Sequence, residues 1–194
     1  MDKIAIKSMQ SWISFFENNY SYIINKFYSQ LLSITSCPNC QYTTLSHDPI
    51  MILQLEINNN CNTIEDCLNL FTKKDILDNH NLWKCDKCNQ YVKSEKKITL
   101  WNTSDIIMIQ LKKYNLLNKN IQYSELLDIE PYSINYNNKN TIYRLVSICC
   151  HLGNLNGGHY YSICKNDSDN KWYEYNDKYI THVSNPLNYK PYCF

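Results

Sequence analysis

Glycine and arginine are scarce in this sequence, long apolar runs are missing, and neither sign of charge prevails. Only three of 194 residues are glycine, and Arg144 is the one arginine among 19 basic residues. Eighteen acidic residues leave a net charge of +1 and a pI near 7.5. That balance argues against a cationic nucleic-acid surface, which needs clustered arginine and lysine. No apolar stretch approaches the ~20 residues of a membrane-spanning helix, and no basic and apolar leader opens the chain. The expectation is therefore an intracellular protein, cytoplasmic or nuclear, with neither membrane nor nucleic acid as partner. Frequent Asn and Ile beside a single arginine look like AT-rich coding, so runs such as Asn58 to Asn60 are loop filler.

A chain of this length buries a core without help from disulfides. From Trp12, the apolar positions Phe15, Phe16, Tyr20, Ile23, Ile24, Phe27 and Leu31 recur every three or four residues and predict an amphipathic helix that breaks near 27–29. Segments 30–37 and 41–57 read as strands. Thr63 with Asp66 three residues on predicts the cap of a short helix whose face is Ile64, Cys67, Leu68 and Phe71. Segments 91–101 and 106–114 predict a hairpin about Asn102, Thr103, Ser104 and Asp105, and a softer stretch runs over 116–140. Strand character resumes at 141–150, 159–165, 171–176 and 179–183, with no internal repeat. Early helices followed by antiparallel strands make the class α+β.

Ten cysteines resist the compositional bias. Cys37-Pro-Asn-Cys40 and Cys85-Asp-Lys-Cys88 are two C-x2-C pairs 44 residues apart, each between predicted strands like a knuckle at a hairpin tip. Four thiolates so placed can surround a zinc ion at about 2.3 Å and leave no open position, which predicts a structural Zn2+ site. A thioredoxin-like redox pair and two local disulfides are the alternatives, and the lack of a leader disfavours disulfides. Cys61, Cys67, Cys149, Cys150, Cys164 and Cys193 read as packing residues.

All three glycines, Gly153, Gly157 and Gly158, fall within six residues, next to His151 and His159. Glycine serves where a foreign backbone must approach closely, so this loop is read as the wall of a groove. If the following turn is 166–170, Lys165 pairs with Lys171, His159 faces Asp177 and Tyr160 faces Asn176. An imidazole beside an amide or carboxylate is the base and orienter of a nucleophilic triad. Spacing leaves Asn176 and Asp177 open, because a one-residue bulge exchanges them.

These residues resemble the ubiquitin-specific proteases, papain-like cysteine deubiquitinases. The resemblance is carried by Phe27-Tyr-Ser-Gln-Leu31 ahead of Cys37-x2-Cys40, Asp48-Pro49, Thr63 to Phe71, Trp83-Lys-Cys85-x2-Cys88, Ile109 to Tyr114, Gly157-Gly158-His159-Tyr160, and Trp172 to Asp177. It implies a palm of antiparallel sheet with a zinc-ribbon fingers subdomain. Residues 1–29 would be a helical lead-in, 30–101 the fingers and 102–194 the palm. It also implies His159 as general base, Asn176 as third triad member and Asp177 as its support. Tyr114, His151, Gly157, Gly158 and Tyr160 would bind substrate, with 153–158 as a loop that moves to admit the tail of ubiquitin. Lys112-Lys113-Tyr114 stands where the family usually has Lys-Arg-Phe.

The family's cysteine box, resembling G-L-x-N-L-G-N-T-C-Y, has no counterpart here, and no cysteine precedes Cys37. The expectation is a deubiquitinase part that cleaves isopeptide bonds at the last glycine of ubiquitin by a Cys-His-Asn/Asp mechanism. Its nucleophile and most of its thumb would come from an upstream or separately encoded segment. Ubiquitin or ubiquitinated proteins would be the partners. The alternative is a catalytically inactive ubiquitin-binding module.

Overall fold

The computed structural model describes residues 3–78, 80–113, 116, 119–134, 141–154 and 157–194. In chain order the elements are α1 (Lys3–Phe16), α2 (Tyr22–Phe27), β1 (Ser29–Ser36), β2 (Thr43–Ile50), β3 (Ile52–Glu56), α3 (Ile64–Thr72), β4 (Asp75–Ile76), β5 (Trp83–Lys84) and β6 (Tyr91–Val92). There follow β7 (Glu95–Asn102), β8 (Met108–Lys112), β9 (Leu126–Asp128), β10 (Ile142–Arg144), β11 (Ser147–Asn154), β12 (Gly157–Lys165), β13 (Trp172–Asn176), β14 (Tyr179–Val183) and β15 (Pro191–Cys193). Two compact units form: 1–51, 71–107 and 132–139 make the first, and 52–70, 108–131 and 140–194 the second. The class is α+β, as expected. Among the described residues no helix is long and apolar enough to cross a membrane.

The first unit is built on a four-stranded sheet in the order β2-β1-β7-β4. The expected single helix from Trp12 is two: α1 ends at Phe16, where the Asn19 amide bonds the Phe16 carbonyl in a turn, and α2 starts at Tyr22. Phe16 and Ile24 are buried whereas Phe15, Tyr20 and Ile23 are exposed, so the apolar stripe does not face one core. Gln30, buried on β1, takes a hydrogen bond from the Ser8 hydroxyl and donates to the Ser8 carbonyl, which satisfies its amide beneath α1.

His47 on β2 is also buried, its ring edge-on to Trp101 at 5.0 Å and its Nε2 without a hydrogen-bond partner. Burial holds it below the ordinary histidine range, with Asp48 opposing and Lys7 adding. A depressed folded-state value favours the neutral ring, so this contribution to stability is complete above about pH 6.5 and is lost as pH falls from there. Urea unfolding of the wild type and His47→Gln at pH 7.5 and 5.5 checks this: the variant is expected to lose less stability on acidification.

The second unit carries a seven-stranded sheet, β14-β13-β12-β11-β15-β8-β3, antiparallel except for the β3–β8 pair. Ile148, Cys150, Ile163, Trp172 and Val183 form one of its buried clusters, with Tyr123, Leu145, Tyr161, Tyr189 and Phe194 packed against them. The capping box on α3 is present. The Thr63 hydroxyl accepts the Asp66 amide at 3.1 Å, and the Asp66 carboxylate accepts the amides of Thr63 and Asn62 at 2.9 and 2.8 Å. Those bonds, that of Asn62 first, hold the Asp66 carboxyl below its usual range.

Two strand expectations fail. Segment 41–57 is two strands, β2 and β3, in different sheets. Segments 91–101 and 106–114 do not pair either: β7 and β8 belong to separate sheets. The Ser104 hydroxyl does bond locally, to the Ile106 carbonyl, but the segment is also tied far away: the Ser104 amide bonds the Ser29 hydroxyl, Asp105 pairs with Lys26, and the Ile106 amide bonds the Lys26 carbonyl.

Candidate active site and metal centre

In the first unit the two knuckles have the same local geometry. The Cys37 amide bonds the Tyr42 carbonyl and the Gln41 amide bonds back to the Cys37 carbonyl; Cys85, Gln90 and Asn89 repeat both bonds. Gln41 and Asn89, each just after the second cysteine, take left-handed backbone with φ of 59° and 57°. This turn brings both sulfurs of a pair to one side. The sulfurs of Cys37, Cys40, Cys85 and Cys88 all lie within 4.8 Å of one another, with Cys37 to Cys88 at 3.8 Å and Cys40 to Cys85 at 3.6 Å. A tetrahedron with ligands about 2.3 Å from a zinc ion has edges of about 3.8 Å, so the donor set fits. Burial works against ionising Cys37, yet the amides of Cys40 and Asn39 bring its thiol down to about 7. Burial and three neighbouring thiols push Cys88 up to about 12. Four crowded thiols ionise together only around a cation.

In the second unit β12 and β13 place the histidine. The predicted register is wrong by one residue: Lys165 pairs with Trp172 and Ser162 with Tyr175. The turn takes in Lys171, whose amide bonds Asp169 and whose carbonyl accepts the Asn166 amide, with Asn170 in left-handed backbone. Because strand faces alternate, that slip moves Asn176 onto the face of His159. His159 Nε2 lies 2.7 Å from Asn176 Oδ1. Asp177 instead occupies the two-residue turn to β14, with φ of 52°, as such a turn requires. Its exposed carboxylate is 3.9 Å from the same nitrogen. An amide oxygen only accepts, so in the neutral ring Nε2 carries the proton and Nδ1 the lone pair.

The neighbouring residue, Tyr160, points to the opposite face. There it stacks on His151 at 4.5 Å, and Tyr192 closes the cluster at 5.7 Å from Tyr160. Together with Gln110, Lys112, Lys113, Gly157 and Gly158 these rings line a cleft of about 240 Å³. Of the residues expected from sequence to bind substrate, His151, Gly157, Gly158 and Tyr160 line this cleft; Tyr192 and Gln110, which line it too, were not among them. β15 enters between β8 and β11 from far along the chain, and no local spacing signals that. Tyr114 lies outside the described residues.

The expected glycine loop is mostly strand, since β11 runs to Asn154 and β12 starts at Gly157, with Gly153 paired to Gly158. A Cβ on Gly158 would sit 2.4 Å from the Leu152 carbonyl oxygen, whereas one on Gly157 would meet nothing within 4 Å. Gly158→Val is therefore expected to cost roughly 1–3 kcal/mol and lower the melting temperature by several degrees, while Gly157→Val leaves it almost unchanged. Thermal melts of both variants check this.

Four thiols of this unit are shifted away from activation. Burial pushes Cys67 up to about 12 and Cys150 to about 11, and raises Cys149 and Cys193. A nucleophilic cysteine needs the opposite shift. Among the described residues the ring of His159 is partnered by Asn176 and Asp177, and no cysteine sulfur is hydrogen-bonded to it.

Comparison with known proteins gives the lineage. The family model described as ubiquitin carboxyl-terminal hydrolase matches residues 1–194. The chain belongs to this family. It is 30% identical over 198 residues to the probable ubiquitin carboxyl-terminal hydrolase R319 of Acanthamoeba polyphaga mimivirus, covering 94% of this chain and 42% of that protein. It is 30% identical over 192 residues to ubiquitin carboxyl-terminal hydrolase 2 of Gallus gallus, covering 92% of this chain and 53% of that one. The fold is that of the ubiquitin-specific proteases. A SAGA DUB module bound to monoubiquitin superposes with a TM-score of 0.78 at 26% identity, over 96% of this chain and 44% of the solved one. One bound to ubiquitin aldehyde gives 0.76 at 25%, over 98% and 46%. The chain thus spans about half or less of these hydrolases.

Proposed function

We propose that this chain is the zinc-bearing and histidine-bearing part of a deubiquitinase, with residues 30–101 serving as fingers and 102–194 as palm. The carrying observation is the 2.7 Å contact between His159 Nε2 and Asn176 Oδ1, which leaves Nδ1 as a base. In this reading Nδ1 takes the proton of a cysteine thiol supplied by the family's cysteine box, outside the ten cysteines of this chain. The thiolate attacks the isopeptide carbonyl after the last glycine of ubiquitin, and the His159 imidazolium protonates the departing lysine amine. Water then releases ubiquitin from the thioester. Asn176 holds the ring, and the Asp177 carboxylate adds a weaker, solvated attraction for the imidazolium. His151, Gly157, Gly158, Tyr160 and Tyr114 would guide the ubiquitin tail. Cys37, Cys40, Cys85 and Cys88 would hold zinc, which neutralises the four thiolates and clips two distant knuckles together.

A fluorogenic ubiquitin substrate and a ubiquitin probe with a cysteine-reactive warhead test this. The chain alone is expected to be inert to both, and a polypeptide joining it to the cysteine box is expected to react with both. Turnover by the chain alone would overturn the external nucleophile, and failure of the joined form would overturn the enzymatic reading. One other reading, a ubiquitin-binding module without activity, is favoured by the burial that raises the thiols of Cys67 and Cys150. Titration of labelled ubiquitin distinguishes it, with binding on the order of tens to hundreds of micromolar expected.

A further inference from the structure

A carboxamide has nearly identical ends, and the His159 base works with only one of them facing it. If Asn176 turned its Nδ2 towards His159, that group would donate to Nε2, the ring proton would move to Nδ1, and the base would have no lone pair for a thiol. Nothing in the pair itself forbids this flip. Glu174 does. It lies two residues before Asn176, so both side chains stand on the same face of β13. Its Oε1 accepts from Asn176 Nδ2 at 3.3 Å, and its Oε2 accepts from the Tyr189 hydroxyl at 3.2 Å. A flipped amide would set Asn176 Oδ1 against a carboxylate oxygen, two acceptors without a proton between them.

The support extends further back. Tyr189 is fixed by its own backbone, whose amide bonds the Pro186 carbonyl and whose carbonyl accepts the Tyr123 hydroxyl at 3.0 Å. Its ring packs against Tyr161 with centroids 6.4 Å apart. The carboxylate is thus half-buried and held at one oxygen while the other grips the amide.

We propose that Glu174 is a positioning residue: shared between Tyr189 and Asn176, it locks the Asn176 carboxamide with Oδ1 towards His159 and so fixes the Nε2–H tautomer. It also returns, one residue removed, the negative charge that an asparagine lacks as the third member of a triad. This rests on His159 being the base, but its test does not depend on turnover.

The test is long-range 1H–15N correlation of the imidazoles in 15N-histidine-labelled full chain at a pH where His159 is neutral. The wild type is expected to show at least about a tenfold excess of the Nε2–H form, as one charge-assisted hydrogen bond allows. Glu174→Ala is expected to bring the two ring nitrogens towards equal shifts as the tautomers mix. Glu174→Gln, which can still offer an oxygen to Asn176, is expected to restore most of the preference. Tyr189→Phe, which loosens the carboxylate without removing it, is expected to move the ratio less and in the same direction, and it serves if Glu174→Ala does not fold. An unchanged ratio in the folded variants overturns the proposal, even if His159→Ala abolishes turnover in the joined enzyme. A shifted ratio upholds it, even if that enzyme proves inert and the base reading falls.

Discussion

Replacing Cys85 by serine is expected to unfold the first unit outright. The purified wild type should carry one zinc ion per chain, and the variant none. A zinc ion there would join Cys37 and Cys40 to Cys85 and Cys88 across 44 intervening residues, and structural zinc sites of this kind contribute on the order of 10 kcal/mol of apparent binding energy, comparable with the whole stability of a domain. Little else around the sulfurs could take over, since the buried cluster there is Cys37, Cys85 and Val92 with Tyr42 and Trp83 at its edge. β5 and β6, which carry the second knuckle, are two residues each. Metal analysis with circular dichroism, before and after a strong chelator, reads the result. Folded wild-type protein with near-zero zinc would sink the assignment.

The second large effect concerns catalysis in the joined enzyme. His159→Ala is expected to lower kcat by at least about 10³-fold, because it would remove the group proposed to take and return the proton. Asn176→Ala leaves the base in place but frees its ring, and a loss of roughly 10–10²-fold is expected, with KM little changed. Asp177→Asn should matter least, as its carboxylate is exposed and 3.9 Å from the ring. Steady-state kinetics on a fluorogenic ubiquitin substrate order the three. An Asn176→Ala enzyme as inactive as His159→Ala would mean that the amide does more than orient.

What the sequence revealed of this arrangement was local. The knuckles, the capping box at Thr63 and Asp66, and the strands that flank His159 follow from spacing within a few residues. The meeting of His159 with Asn176 was legible only to within one residue. A turn lengthened by Lys171 is indistinguishable in sequence from a shorter one, yet it decides which of Asn176 and Asp177 shares the face of the histidine. Tyr192 and Tyr189 could not be assigned, since the strand and turn that bring them in arrive from elsewhere in the chain, and Glu174, though only two residues before Asn176, meets Tyr189 only in the fold. The false hairpin at 102–105 has the same origin. Ser104 and Asp105 have the chemistry of a turn, but their partners, Ser29 and Lys26, are far away in sequence.

The alternation of the chain between its two units shapes how the protein can be made. On a ribosome β1 meets β2 at once, but its other edge stays open until β7 has emerged, and β3 must wait for β8. The first knuckle holds two thiols with no second pair to complete a site until Cys85 and Cys88 follow. Nascent chains therefore spend synthesis with unpaired strand edges and reactive sulfur exposed, the condition in which edge-to-edge association competes with folding. A cut between 101 and 102 would strand β3 on one fragment and β8 on the other. Neither half could then complete the second unit's sheet by itself.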